Sequence, residues 1–270
     1  MKVKDKVIVV TGGGNGIGRQ VVLQLLKKGA RVAAADLSEK GLKETEKLAS
    51  TTNDYLSLHT LDISDKTAVE KLVDDVIKHH KVVDGYINVA GIIQPFTHVN
   101  DLDYDRIELV MNVNFYGTLY MSKTFIPHLL KRHEAHIVHI SSMGGFVPVP
   151  GQTIYGASKA AVKLLTEGLH SELQDTNVKV TVVFPGGVAT DITKNSNADN
   201  RKKPENETAQ EQSKMKLLTP EEAAEIIITG MEKDKYRVLA GKDAKMLDKL
   251  TRLAPKKAAD IIAKKLKSVM

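Results

Sequence analysis

Short apolar runs alternate along this chain with longer stretches whose apolar positions recur every three or four residues. The runs Val7–Thr11, Arg31–Asp36, Tyr55–Thr60, Val83–Asn88, His136–Ser141, Val178–Pro185 and Tyr236–Ala240 read as strands. Between them, Gly16–Lys28, Glu39–Ser50, Asp65–His80, Tyr104–Arg132, Gln152–Gln174 and Pro220–Lys233 carry helical periodicity. Strict alternation of strand and helix predicts an α/β fold, a doubly wound parallel sheet with helices on both faces. The start of the last of these helices is marked by Thr219-Pro220-Glu221-Glu222, which offers a capping hydroxyl, a proline at the first helical position and a glutamate for a capping box.

Two segments break the rhythm. Lys194–Lys216 is polar and almost free of large apolar residues, so it cannot bury itself. It lies within an insertion at about 188–218, near the edge of the sheet where such folds bind ligands. A substrate lid and a surface insertion are equally compatible with it. Beyond Gly241, Met246, Leu247, Leu250 and Leu253 share one helical face, and Ala258, Ile261, Ile262, Leu266 and Val269 share another, with Pro255 between them. The division expected is a dinucleotide-binding and catalytic domain over 1–241 and a basic, helical tail over 242–270.

The 270 residues suit one large α/β domain, and 42% hydrophobic against 27% charged is an ordinary balance for a globular protein. The net charge of +6 sits in the tail: from Met231 onward there are 12 Lys and Arg against 5 Asp and Glu, and the rest of the chain is nearly neutral. With Tyr236 its one aromatic residue, that tail lacks the base-stacking elements of a nucleic-acid binder, and no nucleic-acid partner is expected. Its amphipathic faces suit either packing on the body or on a sister subunit, the preferred reading, or peripheral membrane contact. No cysteine is present, which removes disulfides, thiolate metal sites and cysteine nucleophiles; no metal site is read. The chain begins in a strand without an apolar leader, and a cytoplasmic location is expected.

Thr11-Gly12-Gly13-Gly14-Asn15-Gly16-Ile17-Gly18 joins the first strand to the first helix. Glycines there let backbone approach a pyrophosphate, and the helix N-terminus supplies N–H donors and the positive end of a dipole. Asp36 ends the second strand, where a carboxylate can accept from both adenosine ribose hydroxyls and would repel a 2′-phosphate. Leu37 follows instead of arginine, and Asn15 stands where a basic residue would serve a phosphate. NAD is therefore the preferred cofactor; NADP stays as the alternative, because Arg19 or Lys40 can fold back onto a phosphate. Asp62 and Ile63 are placed to bracket the adenine. Asn88, Ala90 and Gly91 end the fourth strand with the small residues a passing cofactor needs, although a tight turn explains them as well.

Tyr155 and Lys159 stand four apart on one helical face, after an apolar strand that ends in Ser141-Ser142. A free tyrosine titrates near pH ~10, and bringing it to about 7 takes roughly 4 kcal/mol of differential stabilisation. A neighbouring ammonium and an oxidised nicotinamide both favour the phenolate. Ser142 is placed to hydrogen-bond the substrate oxygen as charge develops there.

With these motifs in order, the chain from about Lys6 to Gly241 resembles the short-chain dehydrogenase/reductase family. The resemblance is carried by TGGGNGIG at Thr11–Gly18, Asp36, LDI at Leu61–Ile63, NVAG at Asn88–Gly91, VNFYG at Val113–Gly117, ISS at Ile140–Ser142, YGASK at Tyr155–Lys159 and PGGVAT at Pro185–Thr190. It implies Tyr155 as acid/base, Lys159 as its partner and a ribose ligand, Ser142 as orienter of the substrate oxygen, and Asn114 as holder of a relay water. Pro185, Gly186, Val188 and Thr190 match the segment that lies against the nicotinamide. Val89 departs from the family's usual second Asn in NNAG, a matter of sheet packing. The resemblance also implies a homodimer or homotetramer, with Tyr104–Arg132 and Gln152–Gln174 as interface helices.

The pocket walls expected are Ile93, Phe96, Met143, Phe146, Val147, Val149, Gln152, Val188 and Ile192, with no lysine or arginine to hold an anionic substrate. A lipophilic secondary alcohol or ketone is the substrate class read from them. The runner-up is a 3-oxoacyl thioester reductase, which Asp36 disfavours. A catalytically idle nucleotide-sensing or scaffold protein is the alternative of another class, and retention of both Tyr155 and Lys159 speaks against it.

Overall fold

The computed structural model describes all residues except 53, 197, 199–216 and 266–270. Seven strands form one parallel sheet: β1 (Val7–Thr11), β2 (Arg31–Asp36), β3 (Leu56–Thr60), β4 (Gly85–Asn88), β5 (Ala135–Ile140), β6 (Val178–Pro185) and β7 (Arg237–Ala240), in the spatial order β3-β2-β1-β4-β5-β6-β7. The chain therefore winds outward from β1 in one direction, returns, and winds outward from β4 in the other. The two halves meet between β1 and β4, where Ile8, Val9, Val10 and Thr11 pair with Gly85, Tyr86, Ile87 and Asn88. Such a reversal leaves a crevice beyond the carboxyl ends of the two strands.

Helices cover both faces. On one side α1 (Gly16–Lys27), α2 (Glu39–Ala49) and α8 (Pro220–Glu232) accompany a core that includes Ile8, Val10, Leu25, Ile87, Val183 and Ile227. On the other, α3 (Lys66–His80), α5 (Gly117–Leu129) and α6 (Thr153–Glu172) surround Val9, Val76, Tyr86, Phe125, Ile137 and Leu169. The alternation of these sets along β1, with Ile8 and Val10 on one face and Val7 and Val9 on the other, is the two-residue period of a strand buried on both sides. The capping expected at Thr219 is present in both halves: its hydroxyl accepts from Glu222 N–H, and the Glu222 carboxylate accepts from Thr219 N–H.

The helix expected over Tyr104–Arg132 is not continuous. It divides into α4 (Tyr104–Met111) and α5, joined by a wider π-turn over Asn112–Tyr116, and it ends at Leu129. The extra residue in that turn redirects Asn114 into the protein, where it is fully buried. A short helix, α7 (Ile192–Asn195), stands within the expected lid, and Val188 bridges to Leu218 at the lid's base. Residues 197 and 199–216 of that lid, with Leu266 and Val269 of the tail, lie outside the described residues.

The two tail helices form as expected, α9 over Lys242–Leu253 and α10 over Pro255–Lys265. Their apolar positions divide: Ala244, Leu247 and Ala258 are buried, while Met246 and Leu253 stay exposed. Among the described residues, no helix is long and apolar enough to cross a membrane. An ion-pair chain fastens α9 to the body. The Arg237 guanidinium on β7 donates to Glu167 of α6 at 3.1 Å and to Asp248 of α9 at 2.8 Å, and lies 4.7 Å above the Phe184 ring. Lys163 and Arg252 complete the pairing of the two carboxylates. Truncating Arg237 to alanine removes the cation that bridges the two carboxylates and leaves each with one lysine or arginine partner, and we expect a loss of about 2 kcal/mol, read as a lower midpoint in urea denaturation.

Candidate active site

At the crevice, a set of hydrogen bonds ties the two halves of the sheet together. Thr11 Oγ1 donates to Asn88 Oδ1 at 2.6 Å and accepts from Ala90 N–H at 3.1 Å; Asn88 Nδ2 donates to Thr118 Oγ1 at 2.8 Å. Asn88 is thus a buried clamp between strand ends and a helix. It does not line the cleft as a cofactor ligand would, because its amide is spent on Thr11 and Thr118. The glycine loop above it is drawn in closely. Gly12 and Gly16 adopt left-handed φ values of +69° and +48°, and a Cβ on Gly18 would lie 2.0 Å from the Gly12 carbonyl oxygen. Asn15 precedes α1 without capping it through its side chain, so the first-turn N–H groups are free for a ligand.

A cavity of about 360 Å³ opens there, lined by Gly12, Asn15, Gly16, Ile17, Gly18, Asp36, Leu37, Asp62, Ile63, Ala90, Gly91 and Thr190. Asp36 accepts from Gly14 N–H at 2.9 Å and from Ser38 N–H at 2.8 Å, which holds its carboxylate against the glycine loop. Arg19 does not turn toward it. Its guanidinium donates to Glu44, to the Gly14 and Gly41 carbonyls and to Thr45. Lys40 is exposed and does not line the cavity. Glycine backbone, helix N-terminus and a carboxylate beside the strand end together fit a dinucleotide.

A second cavity, of about 260 Å³, adjoins the first, sharing Ile17, Val89, Gly91, Thr190 and Ile192 with it. Ser142, Tyr155 and Lys159 all line it. Ser142 follows β5 in an extended conformation, and its hydroxyl accepts from Gly144 N–H at 3.1 Å. Tyr155 and Lys159 project from the first two turns of α6, with Nζ 6.0 Å from the phenol ring centre. Lys159 is 5% exposed, and its Nζ donates to the Ile140 carbonyl at 3.0 Å. Ser141 fixes the helix beneath it by donating to the Lys159 carbonyl at 2.7 Å. Asn114 meets this group from the π-turn: Nδ2 donates to Ile92 O and Ser158 Oγ, both at 2.9 Å, while Oδ1 accepts from Ile92 N–H at 2.9 Å. A Cβ on Gly91 would sit 3.0 Å from both Asn114 Oδ1 and Lys159 Nζ, so glycine is what lets these two groups converge.

The electrostatics of this cavity without a ligand run against a ready phenolate. Burial raises the Tyr155 phenol above its usual range, and a hydrogen bond with Ser142 only partly offsets this. Burial also lowers the Lys159 ammonium to about 8. The Tyr155–Lys159 spacing alone implies a fully charged lysine, whereas desolvation weakens that charge in this cleft.

Of the predicted wall residues, Ile93, Phe96, Met143, Val149, Gln152, Val188 and Ile192 line the second cavity, as do Pro185 and Gly186 of the segment expected against the nicotinamide. Phe146 and Val147 do not. The Phe146 ring packs edge-on against Phe184 at 5.3 Å, and Val147 is buried at 1% exposure. The 3₁₀ turn at Met143–Gly145 ahead of them rotates these side chains away from the cleft.

Three residues near the cleft have no counterpart among the sequence-predicted positions. Arg106 of α4 donates to the Ile93 carbonyl at 2.6 Å and to the Ser196 carbonyl, and Ser196 Oγ accepts from Ile93 N–H at 3.0 Å, so α7 is latched to the loop after β4. Asp243, at the start of α9, accepts from Gly187 N–H at 2.7 Å, and a Cβ on Gly186 would lie 2.1 Å from its carboxylate. Gln94 accepts from Tyr155 N–H at 2.9 Å. All three act on backbone groups of other segments, and no local motif marks such contacts.

The short chain dehydrogenase family profile matches residues 6–201. The chain belongs to that family. The Mycobacterium tuberculosis protein SadH, named as an oxidoreductase, is 35% identical over 252 residues, covering 93% of this chain and 91% of that protein. A short-chain dehydrogenase/reductase from Burkholderia phymatum, solved in complex with NAD, superposes with a TM-score of 0.82 at 23% identity, over 94% of this chain and 96% of its own. A short chain dehydrogenase from Burkholderia cenocepacia, solved in complex with NADP, gives 0.79 at 24%, over 97% and 99%. This member of the short-chain dehydrogenases is thus an oxidoreductase.

The lowered Lys159 has a signed consequence. Between about 8 and the ordinary lysine value of 10.5, the unfolded chain holds a proton that the native lysine has released. Stability therefore rises with pH through that window, and below it the burial penalty is present in full. We expect the stability of Lys159→Met relative to the natural chain to fall as pH rises from 8 toward 10, measured by urea denaturation without cofactor; parallel pH profiles for both proteins contradict the account.

Proposed function

We propose that the chain interconverts a lipophilic secondary alcohol and its ketone with NAD as the preferred cofactor, and that Tyr155 is the acid/base. The observation that carries this reading is the convergence of Ser142, Tyr155 and Lys159 on one small cavity, adjacent to the cleft of the glycine loop. The nicotinamide, when bound, gives or takes the hydride. In the reducing direction the Tyr155 hydroxyl delivers its proton to the substrate oxygen while Ser142 donates a hydrogen bond to the same oxygen; in the oxidising direction the phenolate takes the proton back. Lys159 stabilises that phenolate and is positioned to hold a ribose hydroxyl. Asn114 holds the Ile92 backbone and the Ser158 hydroxyl from the π-turn, and its Oδ1 retains a lone pair for a water that would carry the proton onward.

Ile93, Phe96, Met143, Val149, Val188 and Ile192 make the walls apolar, and among the described residues Lys159 is the one charged side chain lining them, which supports an uncharged substrate. The exposed Tyr104, Tyr116 and Leu164 on α4, the π-turn and α6 support a homodimer or homotetramer built on those helices. A screen of ketones and secondary alcohols with NADH and NADPH in parallel tests the reaction. We expect turnover of uncharged substrates that falls by about 10²–10⁴-fold in Tyr155→Phe. Turnover restricted to sugar phosphates, or full activity in the Tyr155→Phe variant, overturns the proposal.

The NAD preference rests on Asp36, beside which Arg19 is already spent on Glu44 and the loop carbonyls. Replacing Asp36 with alanine removes both the ribose acceptor and the repulsion of a 2′-phosphate. The ratio of kcat/KM with NADPH to that with NADH is expected to rise about tenfold or more. An unchanged ratio places discrimination elsewhere.

A further inference from the structure

We propose that Asp243, on the first helix of the C-terminal tail, is a positioning residue for the nicotinamide half of the dinucleotide and acts through the Gly186-Gly187 backbone. This rests on the reading of the two cavities as one dinucleotide and substrate site, and deepens it by making the tail part of that site.

The wall concerned is the segment that leaves β6. Pro185, Gly186, Val188 and Thr190 line the second cavity, and Thr190 lines the first as well. On the reading above, the glycine loop and Asp36 take the pyrophosphate and adenosine in the first cavity, so the ring that exchanges hydride belongs where the two cavities join, against this wall. The wall is held from behind. Gly186 N–H donates to the Ala240 carbonyl at 2.8 Å, which continues the pairing of β6 with β7. Gly187 N–H leaves that ladder and donates to the Asp243 carboxylate at 2.7 Å. The Gly187 carbonyl accepts from Leu218 N–H at 3.0 Å, and Ala189 N–H donates to the Leu218 carbonyl at 2.9 Å. Asp243 is the one side chain in this set.

Asp243 lines neither cavity, so its influence passes through the backbone it holds. The fit is close on two sides. A Cβ on Gly186 would lie 2.1 Å from Asp243 Oδ1, and a Cβ on Gly241 would lie 2.3 Å from the same atom. The carboxylate therefore fills a slot that exists because both positions are glycine. An acidic residue in the first turn of a helix is ordinarily explained by the helix dipole. That accounts for the charge but not for the slot, since the Asp243 carboxylate is turned onto a segment 56 residues away. Hydrogen bonds to an ionised acceptor are about twice as strong as neutral ones. Asp248 on the same helix is paired with Arg237 of β7, so the carboxylate is presented from a fixed base.

The test measures binding of NADH and of ADP-ribose, which lacks the nicotinamide, by titration calorimetry. ADP-ribose reports the adenosine end and the integrity of the fold; the difference between the two ligands reports the seat of the ring. Asp243→Ala is expected to weaken NADH about tenfold and to leave ADP-ribose within about twofold. Asp243→Asn, whose Oδ1 can accept the same N–H, should hold NADH within about threefold of the natural protein. Gly186→Ala, which drives a methyl group into the slot, should show the same selective loss, and combining it with Asp243→Ala should add little. Equal weakening of both ligands in Asp243→Ala, unchanged NADH binding in that variant, or an Asn variant as weak as the Ala one overturns the inference. The expected pattern in a protein that turns over no alcohol or ketone instead counts against the proposed reaction and leaves the role of Asp243 standing.

Discussion

One buried ammonium sets the terms for the cleft. Lys159 Nζ is nearly shut off from water, and among the described residues its hydrogen-bond acceptor is a single main-chain group, the carbonyl of Ile140. Burial at that level lowers its hold on the proton, and the same low polarity raises the cost of ionising Tyr155. Neither group is poised for proton transfer in isolation. A bound dinucleotide would change both sides of that balance, with ribose hydroxyls as additional partners for the ammonium and, in its oxidised form, a positive ring beside the phenol. The chemistry is then conditional on the cofactor, which suits a reaction whose hydride has nowhere to go without it.

Holding that ammonium in place draws on distant parts of the chain. Its position depends on the close approach at Gly91, on Asn114 redirected by the π-turn, and on Ser141 gripping the helix backbone. The Thr11–Asn88–Thr118 chain connects the same region to the glycine loop, so the glycine-loop cleft and the cavity of Ser142, Tyr155 and Lys159 share one scaffold. The C-terminal helices belong to it as well. Asp243 reaches from α9 to the Gly186-Gly187 backbone at the wall of the second cavity, and Arg237 binds α9 to the sheet through Asp248. The tail is basic in composition, but its anchoring to the body is made by its acidic residues Asp243 and Asp248.

The difference between what the sequence discloses and what it hides follows from range. The strand and helix alternation, the glycine loop and the Tyr155–Lys159 spacing are local patterns, each fixed by a two-residue or 3.6-residue period or by a turn that only glycine tolerates. They are legible because the physics that forms them acts within a few residues. The π-turn is not legible, since an extra residue in a helix leaves the apolar period of Tyr104–Arg132 nearly intact. Proximity to motifs points Asn88 and Phe146 at the cleft, whereas tertiary contacts with Thr118 and Phe184 turn both away. Asp243 and Gln94 carry no local signal at all; their partners are 56 and 61 residues distant.

The two glutamines beside Tyr155 belong to the framework of an apolar pocket. Walls of Ile, Val, Met and Phe select against charge but discriminate poorly among uncharged ketones, because a methylene more or less is worth only about 1–3 kcal/mol. Gln94 removes freedom at the start of α6: its side-chain amide is engaged at both ends and its main-chain carbonyl holds Gln152 Nε2. The backbone that Gln94 pins is that of Tyr155 itself.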